Sequence, residues 1–201
     1  LEEEDSQESF ESLLGAIRER YESIIRELGL SLSLEEEFHS IRENFTRKIG
    51  RDYAASRGEY LNGLVMACYL GYEFIDAAEV ICFDKEGNFD GAKTQKILSK
   101  RLASTERAVI PGFYGAMPDG KIKTFSRGGS DITGSIVAGA VHADLYENWT
   151  DVSGFLVADP RIIENPKEID VITYRELREL SYMGATVHHV GWAGLELLTL
   201  G

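Results

Sequence analysis

Phe125-Ser126-Arg127-Gly128-Gly129-Ser130-Asp131 stands between a strand-forming run, Lys121–Phe125, and a small apolar run, Ile132–Val141. A glycine pair between a strand and a helix lets backbone N–H groups come close to an anion, and the helix N-terminus adds its positive end. Arg127 suits a bidentate grip on a carboxylate or phosphate, and Ser130 adds a hydroxyl. The same stretch also reads as a glycine-rich turn whose Ser130 or Asp131 caps the next helix. Ile132–Val141 is expected to be a buried helix. Upstream, Asp119-Gly120 is a strong hairpin signal between the Phe113 region and Lys121–Phe125.

Outward from this segment, strands and helices alternate. Arg107–Pro111 is expected as a short strand with Ala108, Val109 and Ile110 fully buried. Glu73–Asp76 and Val80–Phe83 have strand composition, and Asp84-Lys85-Glu86-Gly87 reads as a turn. Lys93–Leu102 reads as a helix with Ile97 and Leu98 inward. Tyr146–Thr150 reads as a strand, and Thr173 with Glu176 opens a helix through Met183 that Gly184 closes. Nearer the start, Leu13, Leu14, Ile17, Tyr21, Ile24, Ile25 and Leu28 share one helical face, ended by Gly29. Ser33 and Glu36 read as a capping box for a second helix carrying Phe38, Ile41 and Phe45. These two helices are expected to pack as a hairpin. A third helix is expected over Glu59–Leu70, with Leu61, Leu64, Val65, Cys68 and Tyr69 on its apolar face and Gly71 as its stop. Cys68 there reads as a small buried hydrophobe. The alternation predicts an α/β layered sandwich with a mostly parallel sheet.

The 201 residues suit one domain, or one lobe of a larger protein. A 43% hydrophobic and 27% charged composition is that of a globular chain. The net charge of −13 argues against nucleic-acid partners, whose phosphates need a basic face, and against an anionic membrane surface. No apolar run approaches the roughly 20 residues that span a bilayer. Cys68 and Cys82 alone exclude a disulfide scaffold and a four-ligand zinc site, and a reducing, cytoplasmic setting is expected. Adjacent His188 and His189 point different ways on any regular element and lack a third ligand at useful spacing, so no metal site is expected from them. The acidic residues 1–12 read as a solvated lead-in, and the opening at Leu1, with neither Met nor a signal-peptide pattern, as part of something longer.

Two further segments carry chemistry. Trp149-Thr150-Asp151-Val152-Ser153-Gly154, running on to Ala158-Asp159-Pro160-Arg161, places a polar turn after a predicted strand, where α/β sheets bind ligands. Thr150 and Asp151 suit contact with such a ligand, and Arg161 suits phosphate; the plainer reading is an Asx turn and a surface arginine. Ser56-Arg57-Gly58-Glu59 opens the expected third helix. Glu59 reads either as a partner for a substrate ammonium or as a first-turn charge on the helix dipole.

Taken in order, Ser56-Arg57-Gly58-Glu59, Gly112-Phe113-Tyr114-Gly115, Ser126-Arg127-Gly128-Gly129-Ser130-Asp131, Thr150-Asp151-Val152-Ser153-Gly154 and Ala158-Asp159-Pro160-Arg161 resemble the aspartate kinase family. The stretch from Ile169 through Thr173-Tyr174-Arg175-Glu176 to Ala185 is similar too. The likeness covers roughly Gly50 to His188, and the Arg-Gly-Gly-Ser-Asp turn is shared more widely across amino-acid kinases. It implies the amino-acid kinase fold: a three-layer α/β/α sandwich with a mainly parallel central sheet, here incomplete. The implied domain is 13–190, followed by an atypical tail at 191–201.

The resemblance implies transfer of the γ-phosphoryl of ATP to the side-chain carboxylate of L-aspartate, the entry to lysine, threonine and methionine synthesis. Glu59 would hold the substrate ammonium and Arg127 and Ser130 its carboxylates, with Phe113, Gly128 and Gly129 shaping the pocket. Asp131 would organise the phosphoryl-transfer centre. Thr150, Asp151 and Arg161 would contact the nucleotide. Leu156 stands where relatives often have a nucleotide-contacting tyrosine, and Thr186 where they often have lysine. ATP and Mg2+ are implied as cofactors, since phosphoryl transfer between anions rests on positioning and charge neutralisation. A homo-oligomer is implied for the full-length protein.

The family's opening Lys-Phe-Gly-Gly turn and its C-terminal ACT domains have no counterpart here, so the stretch as it stands is expected not to catalyse. The rivals are a related kinase on another small acid and a non-catalytic small-molecule-binding relative.

Overall fold

The computed structural model of the chain describes residues 2–126, 128–147, 149 and 163. Helix α1 spans Glu2–Glu27 and α2 spans Glu35–Thr46. The acidic opening segment is therefore helical: glutamate is a good helix former, and α1 runs back past the apolar period that marks it. Gly29, at φ 63°, closes the turn after α1 as expected. The capping box does not form. Leu34 is the N-cap of α2, and the Ser33 hydroxyl instead accepts from the Glu35 N–H at 3.4 Å. The helical hairpin does form. Phe10 stacks on Phe45 with centroids 5.3 Å apart, Tyr21 meets Phe38 at 6.2 Å, and Arg42 donates to Glu11 at 2.8 Å.

Helix α3 spans Arg51–Leu70 and ends on Gly71 at φ 66°. It begins a full two turns before the expected Glu59. Two of its sides are buried. Leu61 and Val65 join Ile25, Leu34, Phe38 and Ile41 in a cluster drawn from α1, α2, α3 and the loop before α2, while Ser56, Gly63 and Ala67 face the strands. Small residues carry that second side, so apolar periodicity marks only half of the helix. The same division leaves Cys68 and Tyr69 exposed, against expectation, while Cys82 is the buried cysteine.

Strand β1 (Glu73–Phe74) pairs in parallel with β2 (Ala108–Val109). The connection runs through helices α4 (Ala77–Val80) and α5 (Gly91–Leu102), as a parallel pair requires. Val80–Phe83 is split: Val80 ends α4, and only Cys82 and Phe83 make bridges, to Ala116 and Phe89. Asp76 decides this by accepting the Ala78 N–H at 2.9 Å and starting a helical turn. Ala108, Val109 and Ile110 are only half-buried, because this short strand has its one pairing on β1. Leu98 of α5 is fully buried and Ile97 packs on the same core, as expected. The Asp84–Gly87 turn forms, with the Asp84 carboxylate accepting from the Glu86 and Asn88 N–H groups.

Strands β3 (Tyr114–Ala116) and β4 (Ile122–Thr124) form the expected antiparallel hairpin over Asp119-Gly120. Helix α6 spans Gly129–Ala140. It is not buried all round: Ile132 is 38% exposed, and Thr133, Ile136, Val137 and Ala140 form the stripe that packs on the core. Its end is tied to α5 by the Ser99 hydroxyl, which donates to the Ala140 carbonyl at 2.8 Å. The chain divides into two compact units, 1–143 and 144–201. In the second, Tyr146, Glu147 and Trp149 carry no strand pairing; the rest of the expected strand and the Thr173–Met183 helix lie outside the described residues.

Candidate functional site

The site is assembled where Gly112-Phe113 meets the start of α6. Phe113 has a φ of 80°, a left-handed conformation rare for an aromatic residue. Its N–H donates to the Thr133 hydroxyl at 3.2 Å, and its carbonyl accepts from the Phe125 N–H at 2.9 Å. Two glycines let this turn seat against the helix. A Cβ on Gly129 would lie 2.8 Å from Phe113 Cα, and one on Gly112 would lie 2.8 Å from Ser130 Cα. Neither glycine is replaceable without moving backbone.

Gly128 is the N-cap of α6, in the left-handed region at φ 58°. The capping role allowed for Ser130 or Asp131 is therefore not the one found: both lie inside the first turn, and the cap has no side chain. Ser130 is exposed and Asp131 half-buried. This leaves a helix N-terminus fronted by a bare glycine and an exposed hydroxyl, an arrangement that favours a negative ligand group.

Glu59 is not at a helix start. Asp52 is the acidic residue of α3's first turn, so the dipole reading of Glu59 falls away. Glu59 lies one turn before Gly63, on the same helical face. A Cβ on Gly63 would meet Pro111 Cγ at 2.9 Å, directly before Gly112. Glu59 thus shares a helical face with the glycine that packs on Pro111. From α1, the Tyr21 hydroxyl donates to the Gly58 carbonyl at 3.1 Å; burial pushes that phenol's pKa up, and the Glu59 charge adds to it.

Three features here carry no sequence expectation. Arg57 lies over the rings of Tyr53, Tyr60 and Tyr114, at 4.6, 4.4 and 5.5 Å from their centroids. Tyr114 is fully buried and donates to the Asp76 carboxylate at 2.7 Å; burial first, then the Asp76 charge, raises its pKa far above the ordinary value. Asp52 accepts from Lys123 at 3.1 Å and Thr124 at 2.9 Å, tying α3 to β4. Burial works to raise the Asp52 carboxyl, but the two hydrogen bonds and the Lys123 charge outweigh it and hold it below the usual range. Arg57 sits within a quoted motif; Tyr53 and Tyr60 stand four residues before it and three after on the same helix, while Tyr114 comes from β3, which spacing does not reveal.

Phe113, Gly128, Gly129, Ser130 and Asp131 are thus brought together by close approach or by sharing the start of α6, and Glu59 lies one turn from the α3 glycine that packs on Pro111. Arg127, Thr150, Asp151, Leu156, Arg161 and Thr186 lie outside the described residues. Among the described residues no group of three His, Cys, Asp or Glu side chains is placed to hold a metal ion, and no helix is long and apolar enough to cross a membrane.

The profile of the amino acid kinase family matches residues 14–191. The chain is 40% identical over 194 residues to aspartokinase 3 of Bacillus subtilis, covering 88% of this chain and 42% of that protein. The aspartate kinase structure of Clostridium acetobutylicum superposes with a TM-score of 0.82 at 56% identity, covering 89% of this chain and 41% of the other. E. coli aspartokinase III, solved in complex with aspartate and ADP, superposes with a TM-score of 0.76 at 29% identity, covering 91% and 45%. The chain spans less than half the length of each of these relatives. With the family profile extending over most of its length and the α/β fold shared with those structures, the chain belongs to the amino acid kinase family.

Proposed function

We propose that the chain is the acceptor-binding part of an aspartate kinase, which transfers the γ-phosphoryl of ATP to the side-chain carboxylate of L-aspartate. The observation that carries this reading is the seating of Gly112-Phe113 against Gly129-Ser130, with Glu59 one turn from the α3 glycine that packs on Pro111. The likeness to an aspartokinase solved with aspartate and ADP supports the choice of substrate and nucleotide. In this reading Glu59 holds the ammonium, Arg127 and Ser130 hold carboxylates, and Phe113, Gly128 and Gly129 shape the pocket. Asp131 organises the transfer centre, and Thr150, Asp151, Leu156, Arg161 and Thr186 face the nucleotide.

The donor set fits Mg2+ carried in on the nucleotide. No preformed carboxylate cage exists among the described residues, and Mg2+ is commonly held by one or two carboxylates plus phosphates. Asp131 is the carboxylate of the turn that would help hold it, and the ion would neutralise phosphate charge. The remaining parts of the reading are entry to lysine, threonine and methionine synthesis, a cytoplasmic setting and a homo-oligomeric whole protein.

The test is a calorimetric titration of L-aspartate, with N-acetylglutamate as control. Aspartate-selective heat is expected, abolished by Arg127→Ala. Glu59→Ala is expected to weaken aspartate about tenfold or more, as loss of a charged hydrogen bond does, while sparing ATP. Equal heat from N-acetylglutamate would point to another acceptor, and a folded chain giving no heat to a non-catalytic relative.

A further inference from the structure

Thr133 lies one turn into α6 and is 2% exposed, too deep to touch a ligand at the helix start. Its hydroxyl makes two bonds. It donates to the Gly129 carbonyl at 2.7 Å, the local back-bond that threonine often makes in helices. It also accepts the N–H of Phe113 at 3.2 Å, twenty residues earlier in the chain. That second bond reaches the residue whose left-handed backbone the structure must hold in place. The same two residues, Phe113 and Gly129, come so close across the turn that a Cβ on Gly129 would lie 2.8 Å from Phe113 Cα. One buried hydroxyl therefore fastens both halves of the pocket.

We infer that Thr133 is a positioning residue of the acceptor site, setting the spacing between the Phe113 turn and the Gly128-Gly129-Ser130 turn. The inference rests on the function proposed above for those two turns. It is separable from a packing role, because valine preserves the shape of threonine and removes the hydroxyl, whereas serine preserves the hydroxyl and removes the methyl.

The experiment compares wild type, Thr133→Val and Thr133→Ser by titration with L-aspartate and with ADP, and by hydrogen exchange at the Phe113 amide. The valine variant is expected to bind aspartate about tenfold more weakly, the size of one lost buried hydrogen bond, with ADP affinity within about twofold. Its Phe113 amide exchanges faster, and serine restores both affinity and protection. A folded valine variant with wild-type aspartate affinity overturns the inference. So does a serine variant as impaired as the valine one, since the methyl would then be what matters. Should the valine variant not fold, Thr133→Ala takes its place against serine. Wild type that binds ADP but not aspartate would sink the functional reading instead; the clamp would then stand or fall on Phe113 exchange alone.

Discussion

Ile25, Leu34, Phe38, Ile41, Leu61 and Val65 meet as side chains from three helices and one loop. Ile75, Val80, Ile81, Leu98, Tyr114 and Phe125 instead surround points where main chain presses on main chain. A Cβ on Gly115 would lie 2.3 Å from the Ile81 carbonyl oxygen, and one on Gly129 would lie 2.8 Å from Phe113 Cα. Side-chain packing yields to changes of shape, because rotamers and helix positions adjust. Backbone contact has no such slack. The candidate site is built on the second kind of packing, which is what a pocket needs if its turns are to keep a fixed spacing.

Gly115→Ala is the sharpest way to break that comparison. The expected loss is about 3 kcal/mol or more, read by urea unfolding, since strand β3 must move off Ile81. A near-native Gly115→Ala would mean the strands have room and the contrast is false. Next come Leu98→Ala and Phe38→Ala, one in each cluster, each expected to cost about 2–5 kcal/mol. Tyr60 packs against both clusters, so each variant should lower a single shared melting transition. Two separate transitions would show that the helical layer folds on its own. The smallest effect belongs to Asp52→Asn, at less than about 1 kcal/mol for a partly exposed pair. The folded Asp52 carboxyl is depressed, so its stabilisation is present above the ordinary value of about 4 and fades as pH falls through the lower folded value. Melting temperatures of wild type and variant should differ at pH 7 and converge in strong acid.

The helical layer was the more legible of the two regions. Leu13 to Leu28 and Phe38 to Phe45 carry a plain helical period; in the other region Asp119-Gly120 announces the β3–β4 hairpin. The first two turns of α3 were hidden because their one buried residue is Ser56, a small polar side chain that leaves no apolar period. Cys68 was misplaced for the same reason: α3 has two buried sides, and a single apolar stripe does not say which residues are left out. Val80–Phe83 has the composition of a strand, but Asp76 caps a turn that uses up Val80. At the site, the Gly128-Gly129 turn and its anion-facing helix were readable as motif. Phe113's left-handed backbone, the Thr133 hydroxyl and the Tyr114 ring over Arg57 were not, because each depends on residues far apart in sequence.

That aromatic setting has a consequence in dissolved salt. The pairs on the helical hairpin, Arg18–Glu22, Arg26–Glu19 and Arg42–Glu11, are all solvent-exposed, and ions at 0.1 M screen exposed charges over about 10 Å. Arg57 is held by three tyrosine rings, two of them half-buried and one fully buried. Screening reaches such contacts far less. In a chain of net charge −13, rising ionic strength eases repulsion between carboxylates while loosening the pairs on α1 and α2. The seam between α3 and the β3–β4 hairpin keeps the ring contacts of Arg57 through that exchange, and of the contacts described there it is the partly exposed Asp52–Lys123 pair that answers to the salt.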